Sequence, residues 1–154
     1  MEVLLIAATL ATGLAAGLFY AYSVSVMPAL RGADAAVFVQ VMQRINIAIQ
    51  NGWFFASFIG AAVLGVAAVI VALAGDARPV LLVAVLAGAL LYLAQLAVTA
   101  RINIPLNNAL DAAGSADPAA ARSAFEARWV RWNHARTWLC TASLGSYCWA
   151  LILV

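Results

Sequence analysis

Residues 129–138 read WVRWNHARTW and gather three of the five tryptophans and the single histidine just ahead of the last apolar run. Several kinds of chemistry are open to such a set. Trp129, Trp132 and Trp138 offer flat faces on which an aromatic ligand can stack, although tryptophan also collects at membrane interfaces on its own account. Arg136 and Asn133 can hold a developing oxyanion by charge and by hydrogen bond. His134 is a candidate proton acceptor or axial haem ligand, because a neutral imidazole suits both roles. The competing accounts are plain ones: an interfacial histidine, and an Arg136 that snorkels to the headgroups.

The elements that must position these groups follow from composition. An apolar fraction of 67% with 9% charged residues excludes an ordinary soluble domain, in which about a quarter of the residues are charged. Mean hydropathy is +1.02. Apolar runs over residues 3–27, 52–75, 80–100 and 137–154 each approach or exceed the ~20 helical residues that cross a bilayer core. The expectation is an all-α membrane four-helix bundle, a single domain over residues 1–154, with an amphipathic extension before the second helix. The first run opens on Glu2 rather than on a basic region and reads as a span, not a secretory signal.

Charge gives the orientation. There is no lysine, and Arg31, Arg44, Arg101, Arg122, Arg128, Arg131 and Arg136 all lie in or beside the connections after spans one and three, with Arg78 alone on the other side. Both termini should therefore face outward and both basic connections the cytoplasm, in a bacterial-type plasma membrane. An arginine face of this kind suits anionic headgroups, and nothing points to nucleic acid. Cys140 and Cys148 sit eight positions apart on one helix, a rise of about 12 Å. A disulfide needs Cα atoms within ~7 Å. Neither a CxxC nor a Cys/His zinc spacing occurs, so no metal is assigned outside the haem reading.

Breakers and caps organise the chain. Met27-Pro28 is predicted to end span one. Asp34 then caps one helix over residues 35–74, bent near Gly52, in which Gln40, Gln43, Asn46 and Gln50 share a face. An interfacial helix wetted on that face is the competing account. Gly75 and Pro79 bracket an outer turn. Pro105 should stop the third helix near Asn103, leaving residues 107–117 as a loop, with Asp111, Asp117 and Glu126 as solvated or capping groups. Asp117-Pro118 opens the last helix. The pairs Gly13/Gly17 and Ala84/Gly88 allow close helix approach, within the bundle or between protomers of a homo-oligomer.

The last run is short. Residues 137–154 give about 27 Å of helix against the ~30 Å to be crossed. Extending it back to His134 draws Arg136 and Asn133 to the edge of the hydrocarbon, where ionisable groups usually face the bundle interior or a wet cavity. Tyr20, Ser23, Gln50, Asn51, Tyr92, Gln95 and Thr99 lie at matching depth on the other helices. With Arg44, Arg101, Asn103 and Asn107 they outline a polar, arginine-lined pocket, while the outer half of the bundle has almost no polar side chains. A purely structural bundle has little cause to polarise one end.

Met27-Pro28, VMQRINIAIQN (residues 41–51), NIPLNNAL (residues 103–110) and Trp129-x-x-Trp132-Asn133-x-x-Arg136-Thr137 together resemble the anthrone-oxygenase-like family of small four-helix membrane proteins. The resemblance covers nearly the whole chain in motif order. It implies oxidation of an anthrone-like or quinol-like lipophilic aromatic with O2. Asn46, Asn51, Asn103, Pro105, Asn107, Trp129, Asn133 and Arg136 match its motif positions, whereas His134 falls on an unspecified one. An acidic methylene would be deprotonated and the oxyanion stabilised, a route that needs no cofactor. Trp129 and Trp132 would stack, Arg136 or Arg101 would supply charge, and Asn103 or Asn133 would donate hydrogen bonds. The general base is the gap, with His134, a tyrosine or an activated water to choose from.

Other classes stay open. One is a haem- or quinone-binding membrane module with His134 as axial ligand. Another is an accessory subunit of a larger membrane complex, in which small-residue faces and arginines bind only helices and lipid.

Overall fold

Backbone N–H and C=O groups find no water in lipid and must be satisfied inside their own segment, and the apolar runs accordingly form helices. The computed structural model describes residues 1–114 and 116–154, so Ser115, inside the segment read as a loop, lies outside the described residues. In order the chain forms α1 (Glu2–Ala21), α2 (Met27–Arg31), α3 (Ala35–Ala48), α4 (Gly52–Ala74), α5 (Pro79–Val98), α6 (Ile104–Ala112) and α7 (Pro118–Leu153). Five-residue π-helical turns, Tyr22–Val26 and Thr99–Asn103, join α1 to α2 and α5 to α6. The fold is an all-α bundle.

Those π-turns correct two readings of the sequence. Met27-Pro28 does not end the first rod, and Pro105 does not stop the third near Asn103; each helix runs on through the proline. A proline lacks the N–H for an i−4 bond and its ring collides with the i−4 carbonyl. Here the i−4 residues are Val24 and Arg101, and both lie inside a π-turn. The wider turn carries the extra residue and accommodates the ring. Asn107 and Asp111 are consequently helical rather than looped.

A third correction concerns residues 35–74. They form two helices, because Asn51 leaves helical geometry at φ −132°, ψ 164°. Its Oδ1 accepts from Phe54 N at 3.1 Å, and its Nδ2 donates to the Ala48 carbonyl at 2.9 Å. One side chain thus closes α3 and opens α4. Asp117 behaves as read, with Oδ1 accepting from Ala120 N at 3.0 Å, whereas Asp34 holds the N-cap position without a side-chain bond.

Three rods are long and apolar enough to cross a membrane: Glu2–Arg31 with 30 residues, Gly52–Ala74 with 23 and Pro79–Ala112 with 34. This is an integral membrane protein. The sequence expectation was four such spans. The fourth rod, α7, is mixed in polarity, and packing rather than hydropathy brings its C-terminal half into the bundle. Tyr147 and Ala150 are buried there with Leu5, Ala8, Ala68, Leu81, Ala84 and Val85. The first and third rods, about 45 and 51 Å long at 1.5 Å per residue, exceed the ~30 Å core. Their proline-containing ends, with the first half of α7, overhang the spanning bundle. Across this overhang lies α3, its Phe38, Val39 and Met42 buried against Leu110, Phe125 and Trp129.

Within the bundle the close approaches are at small residues, as expected where lipid offers no hydrophobic drive. Tyr147 packs into a groove opened by Gly65 of α4 and Gly88 of α5, where a Cβ on Gly88 would lie 2.7 Å from Tyr147 Cε1. The Ala84/Gly88 pair is therefore an internal contact. Gly13 meets Leu144 of α7, but Gly17 faces nothing within 4 Å. Tyr92 Oη donates to the Phe58 carbonyl at 2.8 Å and Ser143 Oγ to the Gly88 carbonyl at 2.7 Å, tying α5 to α4 and α7. Gly88→Leu should overpack this groove and cost about 1–3 kcal/mol, read as a lower thermal midpoint in detergent; Gly17→Ala should cause no such drop.

Candidate functional site

Where α3 crosses the overhang it roofs a cavity of about 260 Å³. That is near the lower end of ligand-pocket sizes, ~300–1,000 Å³. Its apolar wall holds Phe19 and Tyr22 from the first rod, Met42, Ile45 and Ile49 from α3, and Phe54, Phe55 and Phe58 from α4. Trp129 adds a fourth side from α7. Phe54 stacks on Phe58 at 4.9 Å between centroids, Phe19 meets Phe58 edge-on at 6.2 Å, and Tyr22 and Trp129 lie 5.4 Å apart. The rings form a slot rather than a sphere.

Into this slot the third rod projects Asn103, Asn107 and Asp111, three residues at steps of four along one face. Trp129 Nε1 donates to Asn107 Oδ1 at 2.8 Å, and Asn46 Nδ2 of α3 donates to Asp111 Oδ1 at 3.1 Å. Asn103 is different. It is 1% exposed, and neither its Nδ2 nor its Oδ1 has a hydrogen-bond partner among the described residues. A buried amide with nothing to bond costs roughly 1–3 kcal/mol, and Asn103 is one of the residues that line the cavity.

Arg136 stands nearby on the wall, 6% exposed. Its Nη2 donates to Asn133 Oδ1 at 2.9 Å, its Cζ lies 4.3 Å from the Phe19 ring centroid and 5.3 Å from that of Trp129, and its Nε has no partner. Among the described residues the one ion pair is Arg122 with Glu126, so no carboxylate neutralises Arg136. A desolvated cation of this kind is held by neutral dipoles and ring faces and retains its pull on an anion. Asn133 fixes it from behind, its Nδ2 donating to the Phe19 carbonyl at 3.0 Å and to Ser23 Oγ at 2.9 Å. Ser23 Oγ also lies 3.0 Å from Thr137 Oγ1, which closes the contact between α7 and the first π-turn.

Against this geometry the residues named from sequence divide cleanly. Arg136, Asn103, Asn107, Asn46 and Trp129 line the cavity. Asn133 sits behind Arg136, and Gln95 behind Thr99, whose Oγ1 donates to Gln95 Oε1 at 3.3 Å. Trp132 lies on the flank of α7, off the wall, and Asn51 is spent on its two caps. Tyr20, Arg44, Arg101 and His134 are exposed and away from the cavity. Each of these four stands two positions before a wall residue: Tyr22, Asn46, Asn103 and Arg136. Two residues turn an α-helix by about 200°, so each points to the opposite side of its rod. His134 thus lies outside this cavity, on the opposite side of α7 from Arg136.

Sequence reasoning passed over Asp111, Asn108, Tyr22 and the α4 phenylalanines as wall residues. The spacing of Asn103, Asn107 and Asp111 was the available signal, hidden by ending the helix at Pro105. Likewise the glutamine stripe of α3 is spent on protein rather than on water. Gln43 Nε2 donates to the Leu110 carbonyl at 2.9 Å, satisfying one of the free carbonyls in the last turn of α6, and Asn46 holds Asp111. Among the described residues no three His, Cys, Asp or Glu side chains come together, and Cys140 and Cys148 are free.

In comparisons with known proteins, no curated protein and no solved structure matches the chain. A family model described as anthrone oxygenase matches residues 53–146. That segment runs from the head of α4 into the last turns of α7 and brings in Asn103, Asp111, Trp129 and Arg136, while the α3 wall with Asn46 lies before it. Since the match takes in more than half of the sequence, the chain belongs to the anthrone oxygenase family.

Proposed function

We propose that this membrane protein is an oxygenase that takes a flat, lipophilic aromatic of the anthrone type together with O2, and that the reaction occurs in the cavity under α3. The observation that carries the reading is the pairing of Arg136 and Asn103. Both are wall residues with buried polar atoms that lack a hydrogen-bond partner among the described residues, and both stand beside the aromatic rings of the cavity. An apolar pocket with a few convergent polar groups is the form a binding site for such a ligand takes.

The chemistry suits those groups. An anthrone carries a methylene group across its central ring from a ketone, and loss of a methylene proton sends charge onto the ketone oxygen. Arg136 and Asn103 would meet that oxygen as its charge develops. The electron-rich anion then gives an electron to O2, and the two radicals combine at the former methylene carbon. Loss of water from the resulting hydroperoxide leaves a second ketone. The sum is anthrone plus O2 to anthraquinone plus water. No step calls on a bound cofactor.

Delivery fits a bilayer. Phe55 and Ile104, both on the wall, are 48% and 46% exposed, so part of the rim is apolar and open to a lipid-dissolved substrate, while Gln50, Asn108 and Asp111 are exposed polar residues of the same wall. The arginine-rich overhang would face the cytoplasm, with both termini outside.

Arg136→Gln and Asn103→Leu should each lower kcat for O2 uptake with anthrone, the arginine change by about 10²–10³-fold as for loss of an oxyanion donor. Both variants should elute as folded protein in size-exclusion chromatography; wild-type turnover in both would end the assignment. His134→Ala, on the far side of α7, should leave O2 uptake unchanged.

A further inference from the structure

We infer that Asp111 is the proton acceptor of this cavity and that Asn46 is the positioning residue that aims it. The inference rests on the oxygenase reading and adds to it the group that starts the reaction.

Among the described residues Asp111 is the one carboxylate on the cavity wall. The remaining polar groups there are the amides Asn46, Gln50, Asn103, Asn107 and Asn108, the hydroxyls of Tyr22 and Thr99, the Trp129 indole N–H, which only donates, and Arg136. Amides, neutral hydroxyls and a guanidinium do not take up a proton near neutral pH, whereas a carboxylate accepts on two oxygens. The single histidine is on the other face of α7.

Position supports the role as well as identity. Asp111 extends the stripe of Asn103 and Asn107 by one more step of four, so the three point along one line into the slot. Asn46 Nδ2 donates to Oδ1 at 3.1 Å, and Oδ2 takes no protein hydrogen bond among the described residues. One oxygen is therefore anchored and the other free. Asp111 is exposed at the rim while Arg136 is buried on the same wall. In an anthrone the oxygen that gains charge and the carbon that loses its proton are at opposite ends of the central ring. A buried cation and a rim carboxylate match that arrangement, and the rim gives the carboxyl contact with water.

The proton count closes. Asp111 takes the first methylene proton as the C–H pair passes toward the ketone oxygen. After electron transfer to O2 and C–O bond formation, that proton goes to the peroxide. The free carboxylate then takes the second proton from the same carbon as the O–O bond breaks, and returns it to the departing hydroxide to make water.

The experiment uses the full-length protein in lipid nanodiscs and follows O2 uptake with anthrone and with its enol tautomer, 9-hydroxyanthracene, which has no methylene proton to lose. Asp111→Asn keeps an acceptor for Asn46 and should fold. Its kcat with anthrone should fall about 10²-fold or more, in the range for loss of a general base, with partial recovery in Asp111→Glu. In a single turnover with the enol, O2 uptake precedes the second proton abstraction and should stay near the wild-type rate, which a merely structural role would not produce. An Asp111→Asn protein that equals wild type on anthrone, or that loses both substrates alike, overturns the inference and leaves the oxygenase reading standing. A wild-type protein inert to both tautomers removes that reading and the inference with it.

Discussion

Arg136 enters the interior from α7 with one amide oxygen, two aromatic faces and no carboxylate among the described residues, and the organisation of this end of the molecule can be traced from that cost. A cation in a poorly solvated place has to be compensated by dipoles or lie against water. Asn133 supplies the nearest dipole and is itself tied to the Phe19 carbonyl and Ser23, so the first rod and α7 are locked at the depth of the charge. Rings from two rods then cover the guanidinium. Nε of Arg136 and the Asn103 amide remain without a partner among the described residues, and both residues line the cavity.

The rods reach that point by a shared device. Lipid does not tolerate open backbone groups, yet the first and third rods both carry a proline near the polar end. In each, a π-turn stands immediately before it and lets the helix continue. The continuation has a functional consequence, because α2 and α6 become rigid overhangs on which α3 can lie. The second π-turn keeps Asn107 and Asp111 on a continuing helix. With it they extend Asn103 into one stripe, and this side of the site is mounted on helix.

Much of this was legible beforehand, and the misses share a cause. The helical class, the spanning runs and the polar end were read from residue type and run length, and the special standing of Arg136, Asn133, Asn103 and Trp129 from these together with the family resemblance. Tyr20, Arg44, Arg101 and His134 were chosen for chemistry at the right depth, and depth is what hydropathy reports. Hydropathy does not report rotation about a helix axis, and a two-residue error in choosing a side chain is nearly half a turn. Asp111 was lost for the opposite reason: its rotational position was correct, but the helix that carries it was taken to end at Pro105.

The sequence by itself determined that this is a helical membrane protein, where its apolar runs lie and at which end its polar groups gather, since these depend on residue type and on the number of consecutive apolar residues. The tertiary structure decided which face of each rod looks inward, that both prolines are absorbed by π-turns, and that α3 folds back over the overhang to close the cavity. These outcomes depend on contacts between residues distant in the chain, such as Asn133 with Phe19 and Asn46 with Asp111. In a bilayer they are selected by close packing and paired dipoles rather than by hydrophobicity, and run lengths along one strand of sequence carry no record of them.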